Sequence, residues 1–228
     1  YSMSEHGIKN IKTGKTIGIK TEQELYKFLN LDYIEPELRE GTDEIKAALE
    51  NKLPNLVKLE DIKGDLQIHS NFDIDTSHDL GINSMEEIVK RANELNYEYI
   101  AFTEHNPSKK GHDEKQIEEI LKRKKEKIEQ LNYSRESSTP FVFNSLEIDM
   151  GKDGSLPISV KGLETLDFAL VSIHSSFDLP RSVMTERVIR ALDHPNVKIF
   201  AHPTGRKINE REGVELDWPK IFDFCVKN

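Results

Sequence analysis

Five short apolar runs in this chain each stop on a side chain able to bind a metal: Asp65-Leu66-Gln67-Ile68-His69, Tyr99 to His105, Phe141 to Glu147, Phe168 to His174, and Val197 to His202. Runs of this length, rich in Ile, Val and Phe and bounded by Gly, Pro, Ser and Asn, read as buried strands, and helical patterns separate most of them. That alternation predicts an α/β fold with a parallel sheet or barrel. In such folds functional groups gather at the carboxyl ends of the strands. His69, His105, Glu147, His174 and His202 are therefore expected to converge although they lie far apart in sequence. Four imidazoles and a carboxylate at one mouth point to a metal centre.

With 228 residues, 36% of them hydrophobic, the chain can build one full-sized domain and a small appendage. A net charge of -9 excludes the global basic balance used by non-specific nucleic-acid binders, so any such contact must be local. The single Cys225 excludes an internal disulfide framework and a thiolate zinc cluster, and suits a reducing cytoplasm. No apolar stretch approaches the roughly 20 residues of a membrane span, and no basic and apolar leader opens the chain. A cytoplasmic protein without membrane contact is expected. Tyr1-Ser2-Met3 and Val226-Lys227-Asn228 both read as interruptions of a longer polypeptide.

Residues 1–60 differ in character from residues 61–228. Gly7 to Lys12 and Thr16 to Lys20 flank Thr13-Gly14-Lys15 as in a β-hairpin, and Thr21-Glu22-Gln23-Glu24 has the form of a capping box opening a helix to Phe28 or Leu29. A second helix is expected from Asp43 to Leu49, with the break between the two parts near Leu53-Pro54. From Gly64 onward strand and helix alternate. Ser84 caps a helix whose apolar face is Met85, Ile88, Val89, Ala92 and Leu95. Asp113 to Leu131 reads as a long charged helix. Its Lys122-Arg123-Lys124-Lys125 run could contact nucleic acid, but the interleaved Glu118, Glu119, Glu126 and Glu129 favour a solvated outer face. Thr185 to Leu192 and Trp218 to Val226 supply two more helices.

The eight histidines separate by context. His6, His112 and His194 sit in a terminal segment, a Lys- and Gly-containing loop and a Pro-bounded turn, and surface or turn roles are expected. A lone histidine at a strand end is commonly a satisfied core residue, but four on successive strand ends argue for ligands. His78 lies in the loop Asp73 to Asp79 and is favoured over Asp75 or Asp79 as a further ligand. Glu147 is the natural bridging group, since a carboxylate can span two ions. Paired divalent ions polarise a phosphoryl oxygen and activate water, so phosphoester hydrolysis is the chemistry favoured. Arg206, four residues beyond His202, could reach a phosphate with its guanidinium fork, or form a surface ion pair; Lys207 is a weaker candidate.

The segments Gly64 to Ser70, Phe102-Thr103-Glu104-His105, Leu146-Glu147-Ile148-Asp149, Ser172-Ile173-His174-Ser175 and Ala201 to Arg206 resemble the PHP (polymerase and histidinol phosphatase) superfamily. More narrowly, with Met184 to Leu192 included, they resemble the carboxyl-terminal part of family X DNA polymerases of the PolX type. The hairpin, first helix and Leu31 to Arg39 resemble the end of a polymerase thumb. The resemblance implies a distorted (β/α)7 PHP barrel, incomplete at its carboxyl end and preceded by a small α+β thumb-like segment. It places His69, His78, His105, Glu147, His174 and His202 at metal positions holding roughly two or three Mn, Zn or Fe ions. It implies 3′-5′ exonuclease activity in DNA repair, with Glu147, His105 and Arg206 in the chemistry, DNA 3′ ends as substrate and polymerase domains upstream in the same polypeptide. Three departures stand out, one of them a first-motif loop expanded around His78. Gln67 occupies a position that is usually His in the family, and the closing Asp-x-His motif has no counterpart before Asn228. The alternatives are a stand-alone phosphatase of histidinol-phosphatase type and a structural PHP module that has lost its chemistry.

Overall fold

The computed structural model describes residues 1–5, 7–75, 79–136 and 139–228. The chain divides into two compact units, Tyr1–Leu59 and Glu60–Asn228. In the first, β1 (Ser2–Ser4), β2 (Gly7–Lys9) and β3 (Thr16–Ile17) form an antiparallel sheet, with Ile8 opposite both Met3 and Ile17. Gly14 turns the hairpin at φ +69°. Helix α1 (Glu22–Phe28) opens where the Thr21 side chain accepts from Glu24 N, and α2 (Glu44–Leu49) follows. Among the described residues of this unit only Ile8, Ile34 and Ala48 are buried hydrophobics, so its core is small. Arg39 reinforces it by pairing with Glu22 at 2.9 Å while lying over the rings of Tyr26 and Tyr33.

The second unit is α/β. Strands β4 (Gly64–Ile68), β5 (Tyr99–Phe102) and β6 (Phe141–Asn144) form one parallel sheet, and β7 (Glu147–Asp149), β8 (Ala169–Ser172) and β9 (Val197–Phe200) form another. The long third apolar run is therefore not one strand ending on Glu147: it kinks at Ser145-Leu146, and Glu147 begins a new strand. The cause is a change of partner. Ser145 N still donates to Phe102 O, whereas Leu146 O already accepts from Leu170 N on the other side. A parallel bridge between His105 and Glu147 carries the pairing across the kink.

Ile100, Ala101 and Phe102 of β5 are fully buried, and all four residues of β8 are buried, as expected of parallel strands covered on both faces. Helix α3 (Met85–Glu94) starts in a capping box between Ser84 and Glu87, and α4 (Glu114–Tyr133) in another between Asp113 and Gln116. The short α5 (Val160–Leu163), α6 (Arg181–Leu192) and α7 (Trp218–Lys227) complete the unit. Helix α6 begins a turn earlier than the apolar pattern suggests, because its first turn, Arg181 to Val183, is exposed. One core cluster joins Leu146, Ile148, Val171, Met184 and Val188, and a second joins Met85, Ile100, Phe102, Ile128 and Val142. Among the described residues, no helix is long and apolar enough to cross a membrane.

The run Lys122-Arg123-Lys124-Lys125 is neither a basic patch nor uniformly solvated. Lys122, Arg123 and Lys125 are exposed, but Lys124 is completely buried. It falls on the stripe Ile117, Ile120, Leu121, Lys124, Ile128, the helical spacing that faces the sheet.

Candidate metal centre

Strand geometry aims the ligands. His69 immediately follows β4, His174 lies two residues beyond β8 and His202 two beyond β9, while His105 and Glu147 pair at the kink. Side chains two apart on a strand share a face, which sets Gln67 beside His69 and Asp149 beside Glu147. The loop after β4 returns against His69, and Gly81 makes that approach possible: a Cβ there would stand 2.1 Å from His69 O.

Glu147 is the hub. Its Oε2 lies 3.3 Å from His69 Nε2 and accepts from Gln67 Nε2 at 2.7 Å; its Oε1 lies 3.4 Å from His174 Nε2 and 2.6 Å from His202 Nε2. Asp149 Oδ1 stands 2.7 Å from His174 Nδ1 and 3.4 Å from His105 Nδ1. The imidazoles form a continuous row, His69 stacked on His105 at 4.8 Å, His105 edge-on to His174 at 5.0 Å, and His174 tilted against His202 at 5.2 Å. Exposure rises from His105 through His174 to His202, and His69 at the other end is 24% exposed. The side chains of Glu147 and His105 are 1% and 3% exposed, and His202 is 45% exposed, so the cluster opens on the His202 side. Among the described residues, three overlapping groups could each hold a metal ion: His69, His105 and Glu147; His105, Asp149 and His174; Glu147, His174 and His202.

The donor set fits divalent ions. Ligands held about 2.1 Å from a tetrahedral ion stand about 3.4 Å apart, and three of the nitrogen to oxygen separations in the cluster are 3.3, 3.4 and 3.4 Å. His69 Nδ1 is buried with no hydrogen-bond partner among the described residues. Electrostatics match. Burial pushes the Glu147 carboxyl upward, but hydrogen bonds from His202 and His69 and the charge of His105 outweigh it and hold the group far below the ordinary carboxylate range. The same bond to Glu147 raises His202 above the usual imidazole value, against its partial burial.

Of the residues singled out in the sequence, His69, His105, Glu147, His174 and His202 are brought together. Arg206 is exposed in the turn after His202, and its guanidinium has no hydrogen bond or ion pair among the described residues. His78 lies outside the described residues. Asp79, beside it, reaches within 3.9 Å of His105 Nε2. His112 is tied instead to Asp75 and Ser108, both at 2.9 Å, and His194 receives Asn196 N in its turn. Asp149 was legible only as part of a motif; its two-residue offset from Glu147 on a strand was the available signal. Buried Glu104, beside His105, is a further group that pattern reading missed.

Residues 1–40 match the family described as DNA polymerase beta thumb. Over 225 residues, 99% of its length, the chain is 32% identical to the DNA polymerase/3′-5′ exonuclease PolX of Bacillus subtilis (strain 168). It spans 38% of the length of that relative. The similarity runs through both units.

Proposed function

We propose that the second unit is a PHP-type metal-dependent phosphoesterase domain that removes nucleotides from DNA 3′ ends, in a PolX-like protein whose polymerase thumb contributes residues 1–60. The observation that carries this reading is the position of Glu147, a buried, ionised carboxylate contacting His69, His174 and His202 from opposite oxygens. The name of the Bacillus relative, a polymerase and 3′-5′ exonuclease, supports the substrate class. The thumb match disfavours a stand-alone small-molecule phosphatase.

Divalent ions bound here, Mn, Zn or Fe, would lower the pKa of water toward neutrality and neutralise charge on phosphoryl oxygens. The protein's own groups prepare the site. Glu147 stays anionic throughout the physiological range, so it needs no deprotonation to receive cations. Asp149 fixes the His174 ring: a proton on Nδ1 shared with Asp149 leaves the Nε2 lone pair facing Glu147. Arg206, exposed four residues beyond His202, is available to a phosphate backbone, whereas the Lys207 ammonium is paired with Glu210. The exposed thiol of Cys225 suits a reducing cytoplasm.

The bond from Gln67 to Glu147 supports a second reading, a structural module with weakened metal binding, because an amide there takes a place at the carboxylate that a ligand could use. Incubation of the protein with Mn²⁺ and 5′-labelled single-stranded or gapped DNA separates the two. Stepwise shortening, abolished by EDTA and by Glu147→Gln, is expected. Intact DNA together with metal-free protein at millimolar Mn²⁺ would establish the structural module.

A further inference from the structure

A buried ion pair lies beneath the cluster. Lys124 Nζ, from α4, is 2.9 Å from Glu104 Oε2, and both side chains are at most 2% exposed. Burying two charges is unfavourable unless every polar atom around them is engaged. Here the ammonium donates to Phe102 O at 2.9 Å, Asn144 Oδ1 at 3.2 Å and Ser145 O. Glu104 Oε1 accepts from the Ser70 hydroxyl at 2.6 Å and from Ser70 N at 3.2 Å.

Each of these anchor points adjoins a residue of the metal cluster. Ser70 follows His69, Glu104 precedes His105, and Ser145 lies two residues before Glu147, at the kink where β6 gives way to β7. The three carbonyl and amide oxygens held by Lys124 come from the ends of β5 and β6, so one ammonium fixes how those two strands end. A hydrophobic side chain would fill the same place on the α4 stripe without the unfavourable burial of a charge. A methionine there would take the ammonium from Ser145 O, Asn144 Oδ1 and Glu104 Oε2, while Phe102 O would keep Ser145 N and Glu104 Oε1 would keep Ser70.

We infer that Lys124 and Glu104, with Ser70, are positioning residues that hold His69, His105 and Glu147 at their mutual distances for metal binding. The inference rests on the metal-centre reading above. Groups that orient ligands without touching the ion are worth about 10–100-fold in metal affinity. The pair sets the geometry of one edge of the cluster, while His174 and His202 are carried by the other sheet and are held independently of it.

Calorimetric titration of the whole chain with MnCl₂ tests this, at a temperature where circular dichroism shows each variant folded. Lys124→Met should bind Mn²⁺ about 10–100-fold more weakly than wild type. Ser70→Ala, which removes one hydroxyl and preserves the ion pair, should weaken it by a smaller factor and decides the matter if Lys124→Met does not fold. Ile120→Val, on the same helix but away from the pair, lowers stability alone and should leave Mn²⁺ affinity unchanged. Wild-type affinity in the folded Ser70→Ala and Lys124→Met proteins, or equal weakening in Ile120→Val, would overturn the positioning role. A wild type that takes up no Mn²⁺ would instead overturn the metal centre itself.

Discussion

At Glu147 the two carboxylate oxygens serve different neighbours, Oε2 facing His69 and Gln67, Oε1 facing His174 and His202. Changing the acid to its amide keeps the shape but removes the charge that makes the cluster attractive to cations. Glu147→Gln is expected to lower Mn²⁺ affinity by at least about 100-fold, beyond the effect typical of groups that only orient ligands, with the melting temperature in EDTA little lower than wild type. Elemental analysis after dialysis checks it, and normal metal content would remove Glu147 from the centre. Gln67→His should act in the opposite direction, since it exchanges an amide for an imidazole within reach of the same oxygen; the expected outcome is more metal per chain, and unchanged content would show that this edge of the cluster does not bind. The backbone also bears on the site. His202 has φ +32°, in the left-handed region that favours glycine, a conformation costing on the order of 1 kcal/mol that persists where surrounding structure demands it.

At the scale of elements, the two sheets end on buried cations, Lys124 for β5 and β6 and Arg187 for β7 and β8. Arg187, 2% exposed, donates to Met150 O at 2.9 Å, Gly151 O at 2.8 Å and Ser175 O at 2.9 Å, just past β7 and β8. Arg187→Met would strand Met150 O and Ser175 O, Gly151 O keeping its bond from Gly154 N, and should cost about 3 kcal/mol in urea unfolding, whereas a loss below about 1 kcal/mol would show that water replaces the guanidinium. The Lys124 pair carries a pH signature. Burial raises the Glu104 carboxyl, but Lys124 and Ser70 outweigh it, so its folded value lies below the unfolded one of about 4.3. A depressed acid contributes stability that is complete above the unfolded value and is lost as pH falls through the folded one. Wild type should therefore lose stability more steeply than Glu104→Gln as pH falls below the unfolded value of about 4.3, as read by thermal melts; parallel slopes would mean the pair is uncharged. Apolar runs and cap residues made most of these elements legible in advance: Ser84 and Asp113 start α3 and α4, and the apolar face of α3 follows its spacing. The kink at Ser145-Leu146 was not, because the polar pair Asn144-Ser145 that marks it sits inside what reads as one run, and only the change of neighbouring strands makes the division plain. Lys124 was hidden by its exposed basic neighbours, although its place on the Ile117 to Ile128 stripe marked it as inward-facing. The residues at the strand ends could be named from the sequence, but the distances joining Glu147 to His69, His174 and His202 depend on strand pairing that no local pattern specifies.

Across the molecule, stability is divided unequally. The unit Glu60–Asn228 holds both hydrophobic clusters, while Tyr1–Leu59 contributes Ile8, Ile34 and Ala48 and relies on a short sheet, two short helices and the Arg39–Glu22 pair. A part of this size buries too little apolar surface for high stability. All the ligand groups described above lie in the larger unit, so metal is linked to its folding equilibrium and to no other. Ligand that binds only the native state stabilises by RT ln(1 + [L]/Kd), about 2.7 kcal/mol at a concentration 100-fold above Kd. Scanning calorimetry is therefore expected to show a weak, low-temperature transition from the first unit that ignores Mn²⁺ and EDTA, and a larger transition that Mn²⁺ shifts upward by several degrees and EDTA returns. The shift should vanish in Glu147→Gln, which retains both transitions. Movement of both transitions together would mean the units unfold as one, and a larger transition insensitive to metal in wild type would contradict the assignment of the centre to Glu60–Asn228.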